Sequence, residues 1–289
     1  YLPDANIVKR LLSGDDNKTL PCWKSYYKCL YMILNDLPLG IDGATGSGKT
    51  IIMSALAATY DLHPRVLIAQ HGRSAVRAAH DRARDVFNYA NPEWIVDTND
   101  NQTTIDAGRA AVPGQLLLTC SVDDSIRGPM IPEDCPFIAY MTPGACVRIA
   151  INDPNWLRGF DMIMLDELHQ RNVDPDMFVS LVITEYLRRY HAGEKRLKLA
   201  FASATGLPNV LRKLSRTWGF GRACMHAWDP FKGTITPPPP FQCGHNAGRP
   251  VLIPNIHMIH VGGTVHPVFT NFPTTEMNEP NWIGEGQPN

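Results

Sequence analysis

Gly43-Ala44-Thr45-Gly46-Ser47-Gly48-Lys49-Thr50 is the stretch that decides how this sequence is read. It follows a short apolar run, Leu39–Asp42, and opens a segment, Lys49–Tyr60, whose apolar residues recur as in a helix. Glycines let the backbone curl so that successive N–H groups point into one concavity, beside the positive end of the following helix. A glycine-rich turn can match part of this pattern by chance; the strand before it and the helix after it give it meaning. The string is a full Gly-x4-Gly-Lys-Thr loop, so Gly43 through Thr50 are expected to bind the phosphates of a nucleotide. Lys49 would reach the β- and γ-phosphates, and the Thr50 hydroxyl would ligate Mg²⁺.

Asp161-Met-Ile-Met-Leu165, running into Asp166-Glu167-Leu168-His169, reads as the complementary half. An apolar strand that delivers two acids at its carboxyl end places them in the crevice where parallel α/β sheets take ligands. Asp166 is suited to hold Mg²⁺ with Thr50, and Glu167 to orient and deprotonate an attacking water. His169 in isolation reads as a structural histidine; within the string it becomes a link between the nucleotide and neighbouring segments.

Outward from these two motifs the chain alternates. β-leaning runs fall at Leu39–Asp42, Val66–Ala69, Leu116–Thr119, Phe137–Tyr140, Met162–Leu165 and Leu197–Phe201. Helical patterns fall at Trp23–Asn35, Lys49–Tyr60, Ser74–Asn88 and Asp176–Tyr190, the last with Asp174 as cap and Pro175 in its first turn. Its apolar stripe of Met177, Phe178, Leu181, Val182 and Leu187 reads as core packing. Nearly continuous apolar strands between helices predict a doubly wound parallel α/β sheet. The pattern decays after Thr217 into a Pro- and Gly-rich stretch, Pro237–Pro250. The expected division is a flank at 1–19, a domain at 20–217, and an irregular tail at 218–289.

Composition narrows the classes. With 44% apolar and 19% charged residues the chain reads as globular, and 27 basic against 28 acidic residues give no global field for nucleic acid, so any such contact must be local. No apolar run is long enough to cross a bilayer, and no secretory leader is recognisable. The opening Tyr1 reads as part of a longer chain. Seven cysteines without a Cys-x-x-Cys pair read as reduced thiols of an intracellular, reducing compartment. Cys224-x-His226 and Cys243-x-His245 have one residue between paired ligands where zinc sites have two to four, so no zinc is expected there.

Gly-x4-Gly-Lys-Thr, Asp-Glu-x-His and then Ser203-Ala204-Thr205 at a strand end resemble motifs I, II and III of superfamily 2 helicases, in order. The likeness sharpens toward the DEAH-box branch. Leu20-Pro21 upstream, Tyr140-Met-Thr-Pro-Gly144 with Arg148, Val66–Arg77 with Gln70 and Arg73, and Arg171 after the box are each similar to segments of that branch. Gly263-Thr-Val-His-Pro-Val268 is similar to the strand leading out of its first domain. The resemblance implies a RecA-like P-loop NTPase domain that uses ATP or another NTP with Mg²⁺. It implies that His169, Ser203 and Thr205 couple nucleotide state to nucleic acid. Gln70, Arg73, Thr142 and Arg148 would then hold an RNA or DNA backbone.

There are departures: Leu168 for Ala, His71-Gly72 for Pro-Arg, Pro143 for Asp, and Gly206 for Leu. Such drift is typical of divergent viral polyprotein helicases, which would place the chain in the cytoplasm. No Gln-x-x-Gly-Arg-x-Gly-Arg string is present, so the arginine fingers of a second RecA-like domain are expected from outside these 289 residues. Two other readings stay open from the residues: a P-loop ATPase acting on protein or small molecules, and a nucleotide-gated clamp that never unwinds.

Overall fold

A computed structural model describes residues 23–43, 47–59, 64–90, 95–97, 115–122, 128–129, 131, 135–170, 172–204, 207, 209–211, 213, 223–225, 241–246, 249–253 and 256–261. Its strands in chain order are β1 Leu39–Gly43, β2 Arg65–Ala69, β3 Ile95–Asp97, β4 Leu116–Ser121, β5 Phe137–Met141 and β6 Met162–Leu165. They continue with β7 Lys198–Ser203, β8 Ala223–Met225, β9 Phe241–Asn246, β10 Arg249–Ile253 and β11 Ile256–Val261. The helices are α1 Trp23–Leu34, α2 Lys49–Thr59, α3 Arg73–Ala90, α4 Pro143–Asn152 and α5 Val173–Ala192.

Nine strands form one sheet in the order β3-β4-β5-β2-β6-β7-β1-β11-β8, and every neighbouring pair is parallel. Parallel neighbours need crossover helices, which cover both faces. The alternation along each strand shows this directly. Leu67, Ala139, Ile163 and Phe201 join the core under α4 and α5. Val66, Ile138, Met164 and Ala202 join the core under α1, α2 and α3. Strands β5 and β6 are buried throughout, as their unbroken apolar runs require. The fold is the RecA-like, doubly wound α/β sheet that the motif order implied.

The boundary at 217 falls short. The stretch beyond it supplies β8 and β11, and β11 lies directly against the phosphate-loop strand with Gly43 opposite Val261. In Ile256-His-Met-Ile-His-Val261 two histidines interrupt the apolar run, yet His257 is buried and only His260 faces out. Strands β9 and β10 form a separate antiparallel ribbon rather than an irregular tail. Helix α5 is capped at the Asn172 position, one turn before Pro175, which puts Asp174 inside the first turn and not at the cap. Met177 is 42% exposed, so it is no part of that helix's core stripe.

Asp161 locks the opposite edge of the sheet. Its buried carboxylate accepts from Arg65 Nε at 2.8 Å, Arg65 Nη2 at 3.0 Å and the Arg65 backbone N–H at 3.1 Å, and Lys195 Nζ lies 2.9 Å away. Burial alone would raise this carboxyl, but the donors from Arg65 and Lys195 outweigh it and hold it below the ordinary carboxylate range. A depressed native value contributes stability above the unfolded pKa, and that stability is lost as pH falls through the native value. Asp161→Asn is therefore expected to lower stability by about 1.5–3 kcal/mol near neutrality. Thermal melts of the two proteins should converge as the pH drops below about 4.

Candidate functional site

Because the sheet is all parallel, its strands present their carboxyl ends along one edge. There Asp42 pairs with Ser203 and Gly43 with Val261, while Ala69 lies opposite both Leu165 and Met141. The phosphate loop leaves β1, the acidic pair leaves β6, and Ser203 ends β7, the strand between them. Three motifs far apart in sequence thus meet by topology alone.

Within the loop, Gly48 has φ +80°, a left-handed conformation that side chains resist. Lys49 is buried and donates to the Gly43 carbonyl at 2.7 Å, turning its ammonium back toward the end of β1. The Thr50 hydroxyl donates to Asp166 Oδ2, so the two expected cation ligands are already side by side. Ser54, one turn on, receives the Tyr140 hydroxyl at 2.8 Å and donates to the Thr50 carbonyl, tying α2 to β5 beneath the loop.

The acidic pair is set by backbone bonds: the Asp166 N–H donates to Ala69 O at 2.8 Å and the Leu168 N–H to Ala202 O at 3.1 Å. Asp166 Oδ1 accepts the Glu167 N–H at 2.8 Å. Glu167 itself stands at φ +54°, and non-glycine residues hold such conformations where the surroundings over-determine them. Burial first, and the neighbouring Asp166 second, push its carboxyl above the ordinary range, against the pull of His169 and Lys49. A carboxylate of raised pKa is a better proton acceptor for water. His169 Nδ1 lies 2.8 Å from the buried Ser203 Oγ and 3.2 Å from Glu167 Oε2, bridging the acidic pair to β7.

The residues assigned to the nucleic-acid face are partly gathered. Arg73 starts α3, and Thr142 caps α4, its hydroxyl accepting the Ala145 N–H at 3.3 Å. Arg73, Thr142 and Arg148 all line one open cavity of about 430 Å³. Gln70 does not line it. Its Oε1 is buried without a hydrogen-bond partner among the described residues, at the end of β2. The cavity also takes in His71, Asn172 and Asp174, which the sequence reading did not assign to it. Helix α4 was likewise not foreseen, although Thr142-Pro143 is a cap followed by a first-turn proline. Ala44, Thr45, Gly46, Arg171, Thr205, His226 and Gly263–Val268 lie outside the described residues. Of the other cysteine and histidine residues weighed for zinc, Cys224 lies on β8 of the large sheet, while Cys243 and His245 lie on β9 of the ribbon.

The chain is 24% identical over 214 residues to the probable ATP-dependent RNA helicase DHX40 of Homo sapiens, covering 71% of this chain and 23% of that protein. It is 25% identical over 198 residues to a putative DEAH-box ATP-dependent helicase of Mycosarcoma maydis, covering 66% of this chain and 11% of that one. A shorter match, 37% over 68 residues, joins it to the ATP-dependent RNA helicase DHX33 of Mus musculus, covering 24% of this chain and 10% of that protein. No family model matches. The chain spans less than a quarter of the length of these relatives. The likenesses are distant, and they support a relationship to the superfamily 2 helicases and a nucleotide-binding domain of the helicase kind.

Proposed function

We propose that this chain is the first RecA-like domain of an NTP-driven RNA helicase of the Asp-Glu-x-His type, hydrolysing ATP or another NTP with Mg²⁺. The observation that carries the reading is the convergence of Lys49 and Thr50, Asp166 and Glu167, and the His169–Ser203 bridge on one sheet edge. Thr50 and Asp166 offer a hydroxyl and a carboxylate within one hydrogen bond of each other, a hard-oxygen pair that fits Mg²⁺. When bound there, the cation would neutralise charge on the phosphate oxygens. Lys49 binds the terminal phosphates, the loop N–H groups hold the rest, and Glu167 orients water and takes its proton. His169 moves with Glu167 and passes that state to Ser203 and, through the end of β7, to Thr205. Arg73, Thr142 and Arg148, which share the cavity that Gln70 does not line, hold a strand by its sugar-phosphate backbone, giving affinity without base reading.

A P-loop ATPase acting on protein or small molecules would share the loop and the acids but has no use for two arginines converging on one cavity beside a helix N-terminus. The separating test is binding of a fluorescent single-stranded RNA. The logarithm of the affinity should fall linearly with log salt, with a slope of about −0.7 per phosphate neutralised. Arg148→Ala should weaken binding and reduce that slope by about one contact. Absence of RNA binding at low salt would refute the helicase reading and leave the ATPase.

A further inference from the structure

A cavity that serves only phosphates gains nothing from a carboxylate, yet Asp174 lines this one along with Arg73 and Arg148. It does not cap its own helix, since the cap position belongs to Asn172. Its Oδ2 lies 2.6 Å from where a Cβ on Gly144 would stand, so the carboxylate is laid against the first turn of α4. Asp174 is exposed, and among the described residues no hydrogen bond or ion pair reaches that carboxylate. The neighbouring Val173 is 73% exposed, an apolar side chain left at the same rim.

We propose that Asp174 accepts a hydrogen bond from a ribose 2′-hydroxyl of a single RNA strand whose phosphates lie against Arg73 and Arg148, and so sets RNA above DNA at this face. The proposal rests on the cavity being the nucleic-acid face and deepens that reading. An ionised carboxylate is acceptor-only: it repels phosphate but takes a hydroxyl proton donor well. The 2′-hydroxyl is the one donor on the backbone that distinguishes RNA from DNA. A DNA strand brings the same phosphate charge but no hydroxyl donor for Asp174, so the repulsion is not offset by a hydrogen bond. Val173 supplies an apolar contact suited to the sugar ring, which a phosphate-only groove does not require.

The test compares anisotropy titrations of the chain with a single-stranded RNA, the same sequence in DNA, and its 2′-O-methyl form. The parent should prefer RNA to DNA about tenfold, and the 2′-O-methyl strand, which has lost the donor, should bind like DNA. Asp174→Ala should shrink the RNA/DNA ratio to about threefold or less, with DNA binding tighter than to the parent as repulsion is removed. Asp174→Asn keeps an acceptor and should retain most of the ratio. Arg148→Ala should weaken both strands in parallel and leave the ratio unchanged. If Asp174→Ala lowers both affinities equally along with the melting temperature, the carboxylate only steadies α4 and the proposal is wrong. A parent without RNA preference also overturns it while leaving the backbone-binding role intact. If neither strand binds at low salt, the reading of the face fails and takes the proposal with it.

Discussion

As an isolated polypeptide, these 289 residues are expected to bind Mg²⁺-ATP yet turn it over ~10³–10⁵-fold more slowly than when completed by a second RecA-like domain. The chemistry spreads charge over the γ-phosphate oxygens, and a trans arginine stabilises that charge by about 4–7 kcal/mol at 1.36 kcal/mol per decade. On the proposed reading Lys49, Thr50, Asp166 and Glu167, which converge on one sheet edge, would supply binding, cation ligands and a base. No Gln-x-x-Gly-Arg-x-Gly-Arg string in the sequence supplies the finger, and Gly248-Arg249 lacks its neighbours. The measurement is phosphate release by the chain alone and by a polypeptide extended past Asn289, each with and without single-stranded RNA. Brisk RNA-stimulated turnover by the short chain would show that the finger lies within it.

Glu167→Gln should abolish turnover, with a loss of ~10²–10⁴-fold, while nucleotide affinity stays within a factor of about three. The amide keeps the shape and the backbone bonds of the acidic pair but cannot take a proton. The fold should not suffer. A carboxyl raised by burial and by Asp166 opposes folding once ionised, so removing its charge at neutral pH leaves the melting temperature equal or higher. Turnover in the parent should fall as pH drops through the raised native value, because Glu167 must be ionised to act. Parent-like hydrolysis by the variant would assign the base elsewhere; a melting temperature lowered by several degrees would make Glu167 structural.

The sequence made the central strands, and the edge where the expected nucleotide residues converge, legible for one physical reason. Strands covered on both faces must be nearly all apolar, so Met162–Leu165 and Phe137–Tyr140 announce themselves, and the residues following them fall on the carboxyl edge of the sheet. Ile256–Val261 was hidden because burial of His257 is paired through tertiary packing that no local pattern shows. Ile95–Asp97 is three residues long, too short for any period to register. Asp174 has the sequence context of a helix cap, but the cap falls at Asn172 and its carboxylate lies against Gly144 on another helix. The tie from Tyr140 through Ser54 to the backbone of Thr50 was equally invisible, since it joins a strand and a helix far apart in sequence.

The most direct test of the account is a calorimetric titration of the chain and of Lys49→Ala with Mg²⁺-ATPγS. Lys49 is buried and its ammonium donates to the Gly43 carbonyl, so a charge-assisted contact to phosphate there is expected to contribute about 1.5–3 kcal/mol. The account predicts one nucleotide per chain, dependence on Mg²⁺, and a roughly 10- to 150-fold loss of affinity in the variant. Equal affinity of the two proteins, or binding indifferent to Mg²⁺, would contradict it.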